Sequence, residues 1–169
     1  MSIDWNQIYR AVFPDLVRFL HRKVWDADRA ADLAQECFVR ALRETPEKPR
    51  PWLFAVAANL ARDEARTVLR RKQHLALLAG DGGERASSDD PMGDVMERER
   101  GERVRQALEK LGEGDREVLL LWDAGLNYHE IAAQTGRAVG AIGTTLARAR
   151  KRLVEAYRAE EERDHVARR

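Results

Sequence analysis

Residues 126–153 read LNYHEIAAQTGRAVGAIGTTLARARKRL. Their apolar positions form two helical stripes with a break between them. Asn127 stands where an N-cap belongs, with a side-chain oxygen able to accept a first-turn N–H. Glu130, three residues on, can reach back to complete a capping box. Ile131, Ala132 and Thr135 follow at helical spacing. Gly136 then marks a sharp turn, because glycine enters the left-handed region at little steric cost. A second helix starts near Val139, with Ile142, Leu146, Ala149 and Leu153 as its buried stripe. Thr144, Thr145, Arg148, Arg150, Lys151 and Arg152 are left for its other faces. Upstream, Val118, Leu119, Leu121 and Trp122 make an apolar helix, with Asp115 as the expected N-cap and Gly125 just past its end. Two short helices about a tight turn, the second with a basic exit, form the pattern of a helix-turn-helix reader of DNA. A three-helix bundle with a solvated basic end has the same periodicity.

The chain has 169 residues, enough for one medium domain or two small ones. Its formal net charge is +1, but the charge is unevenly placed. Residues 1–75 are net +4, residues 76–115 net −5, and residues 116–169 net +2. An acidic middle can hide the nucleic-acid affinity of mildly basic flanks. One cysteine, Cys37, excludes an intrachain disulfide and a cysteine-based zinc site. No run approaches the ~20 apolar residues of a membrane span, and no signal peptide opens the chain. A cytoplasmic protein without direct membrane insertion is expected.

Helical periodicity dominates, and no alternating strand is visible. Helices are expected near 4–23, 27–44, 51–73, 94–111, 115–124, 127–135 and 139–160. The stretch Ala79 to Gly93, AGDGGERASSDDPMG, is rich in Gly, Ser, Asp and Pro and has little to bury. It reads as a flexible linker. The expected fold class is all-α: a helical domain over 1–75, a linker over 76–99, a helix-turn-helix domain over 100–160, and a charged, fraying tail over 161–169.

In the N-terminal domain Leu33, Ala34, Cys37, Ala41 and Leu42 share the inner face of one helix, with Phe38 at the edge. Asp32, Gln35, Glu36, Arg40 and Arg43 point outward. Such a polar face is a solvated surface or a docking surface, and periodicity does not choose. Glu44 to Pro51, ETPEKPRP, is expected to be a stiff loop, with Pro51 at the first position of the next helix. In that helix Trp52, Leu53, Val56, Ala57, Leu60, Ala61 and Glu64 track one side. Arg62, Arg66 and Arg70 repeat every four residues, a ridge suited to a phosphate backbone or to solvent and internal pairing.

Residues 31–38, ADLAQECF, resemble the "DL-x-QE-x-F" segment of bacterial sigma-70 superfamily RNA polymerase sigma factors. Residues 52–63, WLFAVAANLARD, with Arg66, resemble the family's next helix, "WL…A-x-N-x-x-x-D…R". Residues 116–121, 128–132 and 146–149 look like the start and end of its C-terminal domain. Three motifs in register, over roughly residues 5–157, with only a linker between the domains, resemble the extracytoplasmic-function (ECF) group, which keeps regions 2 and 4.

The resemblance implies a transcription initiation factor, with RNA polymerase core and promoter DNA as partners. Asp32, Gln35, Glu36 and Arg40 would dock on the clamp of the largest subunit, and region 4 on the flap of the second-largest. Lys48, Arg50, Trp52, Asn59, Arg62, Arg66 and Arg70 would meet the minus-10 element and hold an unpaired base. Arg137, Thr144, Thr145, Arg148 and Lys151 would meet the minus-35 element. An anti-sigma factor is an expected further partner, and no cofactor or metal is implied. Three departures stand out. Ala31 occupies an acidic position of the family's "AEDL". The loop before Trp52 is several residues shorter than usual. Residues 140–145 are GAIGTT where the family commonly has "GTVKSR". Thr144 and Thr145 would then read base edges with less discrimination than a bidentate Arg on guanine.

A stand-alone helix-turn-helix regulator explains 126–153 but not the N-terminal motifs. An enzyme is disfavoured. His21, His74, His129 and His165 have no metal-ligand spacing, and there is no phosphate loop or nucleophile elbow.

Overall fold

The computed structural model describes residues 2–79 and 95–169. The central part of the expected linker, residues 80–94, lies outside the described residues. Among those described there are seven α-helices and no strand: α1 (Trp5–Val24), α2 (Ala27–Glu44), α3 (Pro49–Ala79), α4 (Val95–Glu109), α5 (Glu113–Asp123), α6 (Tyr128–Thr135) and α7 (Val139–Ala167). They fall into two compact units, Met1–Asp89 and Asp90–Arg169.

In the first unit α1, α2 and α3 each pack on the other two. Asp4 and Asp26 start α1 and α2 by accepting the N–H of Gln7 and Arg29. Both helices end on a left-handed residue that is not glycine, Trp25 at φ 55° and Thr45 at φ 44°. Each costs on the order of 1–2 kcal/mol, offset by the helix-closing bonds from Trp25 N–H to His21 and from Thr45 N–H to Ala41. Leu16, Leu20, Leu33, Leu53 and Phe54 are fully buried, and Phe54 meets Phe19 edge-on at 5.3 Å. Cys37 is a core residue; burial pushes its thiol up to about 12, so it stays protonated and inert.

Two cross-helix ion pairs tie this bundle. Arg29 at the start of α2 makes a bidentate pair with Glu64 of α3, at 2.8 and 2.9 Å. Arg50 of α3 donates to Asp15 of α1 at 3.1 Å and lies over the Phe54 ring. The expected proline-rich loop is shorter than its composition implied, because α3 begins at Pro49 and Pro51 sits inside its first turn. First-turn N–H groups have no intrahelical partner, so proline costs little there. Beyond Glu64, α3 runs on to Ala79 with every side chain exposed, well past the expected end at 73.

In the second unit α7 packs against α4, α5 and α6. Val118, Leu121, Leu126, Ile131, Ile142 and Leu146 form its core. The expected fraying tail is instead helix, and α7 continues to Ala167. Ion pairs with α4 and the residue just after it explain the difference: Arg103 with Glu161 and Asp164, Lys110 with the buried Glu160, and Arg168 with Glu99. These partners are far apart in sequence, so no local pattern announces them.

Phe54→Ala leaves a large cavity between α1 and α3. It should cost about 3–5 kcal/mol, read as a lower urea midpoint of unfolding. The Arg29 hydrogen bonds hold the Glu64 carboxyl below its ordinary range, against an opposing push from burial. A depressed carboxylate stabilises the fold above its unfolded pKa, about 4.3, and loses that contribution as pH falls through the folded value. Glu64→Gln should therefore destabilise at pH 7 by about 0.5–1 kcal/mol. That deficit should shrink below about pH 4; one that stays constant down to pH 3 contradicts the account.

Candidate nucleic-acid interface

The outward side of α2 carries Asp32, Gln35 and Arg40, all exposed, and the half-buried Glu36, which accepts from Arg40 at 2.5 Å. The structure brings these four expected residues onto one surface. It adds two that sequence reasoning missed. Val39 is exposed four residues after Gln35, and Leu42, expected inside, is 55% exposed, while Phe38 takes the buried position instead. The helix is rotated slightly from the face that its strongest apolar residues implied. Packing of Phe38 against Tyr9 and Phe13 accounts for it.

On α3 the burial pattern corrects the expected inner face. Leu53, Phe54, Ala57, Ala58, Leu60 and Ala61 are buried, whereas Trp52 and Val56 are only partly covered. Trp52, Asn59 and Arg66 are seven residues apart, two helical turns, so they share one side. Asn59, Arg62, Arg66 and Arg70 are exposed, and Arg62 donates to Asn59 at 3.1 Å. Arg66 lies 4.0 Å from Asp63, both well exposed, an arrangement that solvent screens. Lys48 is exposed just before the helix. Arg50 is different: its bond to Asp15 turns it toward the bundle rather than onto this face.

The helix-turn-helix forms as the sequence implied. Asn127 accepts from the Glu130 N–H and Glu130 from the Asn127 N–H, both at 2.9 Å, closing the capping box. Gly136 ends α6 at φ +68°. On α7, Gly140, Thr144, Ala147 and Lys151 are exposed at four- and three-residue steps and form the outward face. Arg150 lies over the Trp122 ring, itself packed on Tyr128.

Three expected minus-35 residues stand elsewhere. Thr145 is buried, and its hydroxyl donates to the Ala141 carbonyl at 2.8 Å, so it has no base edge to read. Arg148 makes a bidentate pair with Asp115 at 2.7 and 3.0 Å. Arg137 is half-buried, its guanidinium beside Gly114. Asp115 is itself a correction. Gly112 is the N-cap of α5, and Asp115 lies buried inside the first turn. An acidic residue before an apolar run reads locally as a cap, and its partner 33 residues away is invisible to that reading.

Residues 8–72 match Sigma-70 region 2, and residues 101–153 match Sigma-70, region 4. The chain is 36% identical over 149 residues to the ECF RNA polymerase sigma factor EcfG of Rhodopseudomonas palustris (strain TIE-1), across 85% of this chain and 79% of that one. The chain belongs to the sigma-70 family, in its ECF group. It is also 29% identical over 154 residues to the RNA polymerase sigma factor YlaC of Bacillus subtilis (strain 168), across 88% of each. Its fold is similar to that of the sigma factor RpoE from Bartonella quintana, solved in complex with the anti-sigma factor NepR (TM-score 0.67, 25% identity, 92% of this chain and 97% of that one). It is also similar to CnrH in complex with the cytosolic domain of CnrY (TM-score 0.62, 26% identity, 91% of this chain and 87% of that one). Region 2 is thus built on α1 to α3, and region 4 on α4 to α7. The exposed end of α3 after residue 72 and the part of α7 after residue 153, nearly four turns, lie outside both matches.

Region 4 gives a clean test of its turn. A Cβ on Gly136 would meet no atom within 4 Å, so Gly136→Ala probes backbone conformation alone. It should cost on the order of 1–2 kcal/mol, measured by thermal unfolding.

Proposed function

We propose that this sigma factor divides promoter recognition among three outward helix faces. The α2 face, Asp32, Gln35, Val39 and Glu36 with Arg40, docks on the clamp of the largest core subunit. The α3 face engages the minus-10 element. Trp52 offers a partly covered ring on which an unpaired base can stack, worth about 1–3 kcal/mol against an unstacking cost of a few kcal/mol. Lys48, Arg62, Arg66 and Arg70 neutralise phosphates along the strand. The α7 face enters the major groove at the minus-35 element, with Thr144 on base edges and Lys151 on phosphate. Region 4 also meets the flap of the second-largest subunit.

The observation that carries this reading is the side of α3 that holds Trp52, Asn59, Arg62, Arg66 and Arg70. It joins an available aromatic ring to a cationic ridge and buries none of the ridge. A stand-alone helix-turn-helix regulator would use α5 to α7 and leave that side without a role. Among the described residues no helix is long and apolar enough to cross a membrane. The working compartment is the cytoplasm, where the polymerase is. The protein works as a binding subunit rather than an enzyme. An anti-sigma factor is a further partner of the proposal, since the similar sigma factor RpoE was solved in complex with the anti-sigma factor NepR.

Gln35→Ala with Glu36→Ala should weaken association with purified core RNA polymerase by tenfold or more, read by gel filtration and fluorescence titration, without loss of helical signal. Undiminished association would remove α2 from the docking surface.

A further inference from the structure

Asp115 lies among three guanidinium groups. Arg148 holds both its oxygens, Arg152 approaches one of them at 3.5 Å, and Arg137 adds a longer-range attraction from the turn. The Asp115 side chain is 8% exposed, while Arg148 and Arg152 are 45% and 58% exposed. The carboxylate is therefore buried beneath cations that still face solvent. All the hydrogen-bonding edge that Arg148 has toward α5 is spent on the two Asp115 oxygens. A DNA phosphate would have to compete for the same fork geometry.

We propose that Asp115 sets how strongly α7 binds DNA by charge, by holding Arg148 and Arg152 back from phosphate. Asp115 is a positioning residue. It fixes the approach of α7 to the start of α5 and stands in for a phosphate between the two helices. With these two arginines engaged and Arg150 over Trp122, the exposed cations left on the outward face of α7, among the described residues, are Lys151 and, two turns on, Arg158. Region 4 then reads its element through Gly140, Thr144 and Ala147 at close approach, with little sequence-independent attraction to blur the choice. The inference rests on the proposal that α7 meets DNA.

The test is the salt dependence of holoenzyme binding, with the full chain on core polymerase and a promoter fragment selected by in vitro transcription. Each phosphate neutralised adds about 0.9 to the slope of log K against log salt. Asp115→Asn keeps the shape and removes the charge. It should steepen the slope by about 0.9 to 1.8 and lower the preference for an intact over a scrambled minus-35 element. Asp115→Glu should keep the wild-type slope. Arg148→Ala with Arg152→Ala should leave the slope unchanged, and added to Asp115→Asn should return it to the wild-type value. A purely structural Asp115 gives weaker binding with an equal or flatter slope in Asp115→Asn, which overturns the inference. So does a flatter slope in the Arg148→Ala, Arg152→Ala chain, a result that does not depend on Asp115→Asn folding. Lys151→Ala separates the two levels. If it flattens the slope while Asp115→Asn does not steepen it, this inference alone fails. If neither Lys151→Ala nor Asp115→Asn changes the slope, no cation of this part of α7 meets phosphate and both fail.

Discussion

A helix in a bundle this small buries one stripe and leaves the rest of its surface to water. Each of the two units has too few residues to cover a helix on more than one side, so stability and recognition must share the same helices. The apolar stripe decides which side faces in. Whatever lies opposite is presented at fixed spacing on a rigid rod. Phe54 and Leu53 inside α3 aim Asn59 and Arg66 outward, and Ile142, Leu146 and Ala149 inside α7 aim Thr144 and Lys151. Recognition surfaces here are by-products of core packing, placed by the helical repeat.

Two bidentate arginine–carboxylate pairs complement that arrangement. Arg29–Glu64 joins α2 to α3, and Arg148–Asp115 joins α7 to α5. Each fixes at least one helix that bears a proposed binding face: α2 and α3 in the first pair, α7 in the second. The hydrophobic stripe tolerates some rotation and sliding of a helix, and a fork-shaped ion pair removes that freedom. The same pairing explains why the basic cluster at the end of the recognition helix is less available than its composition implies. Charge counts along a sequence record cations, not the partners that already hold them.

Much of the fold was legible because it is governed by local chemistry. The capping box at Asn127 and Glu130, the left-handed Gly136 and the stripe through Ile142 and Leu146 all sit within a few residues of what they control. Family membership was legible for a similar reason, since the 31–38 and 52–63 motifs keep their order and spacing. The misreadings share one cause. Thr145, Arg148, Asp115 and the tail beyond residue 160 owe their roles to groups from other helices, or to a small rotation that puts a hydroxyl under its own helix. Leu42 and Phe38 exchanged places because the ring of Phe38 fits against Tyr9 and Phe13. Pro49 read as a loop residue, and Pro51 as the first position of the helix, because composition does not reveal that the helix already begins at Pro49.

The central claim is that two small helical units, each with an outward-facing recognition helix, together direct core polymerase to promoters. Run-off transcription on a genomic library, with purified core in the presence and absence of this chain, tests it most directly. The account predicts discrete transcripts that require the chain and whose start sites share two upstream elements at constant spacing. Transcripts that are the same with and without the chain, at saturating concentration and with demonstrated core binding, would contradict it.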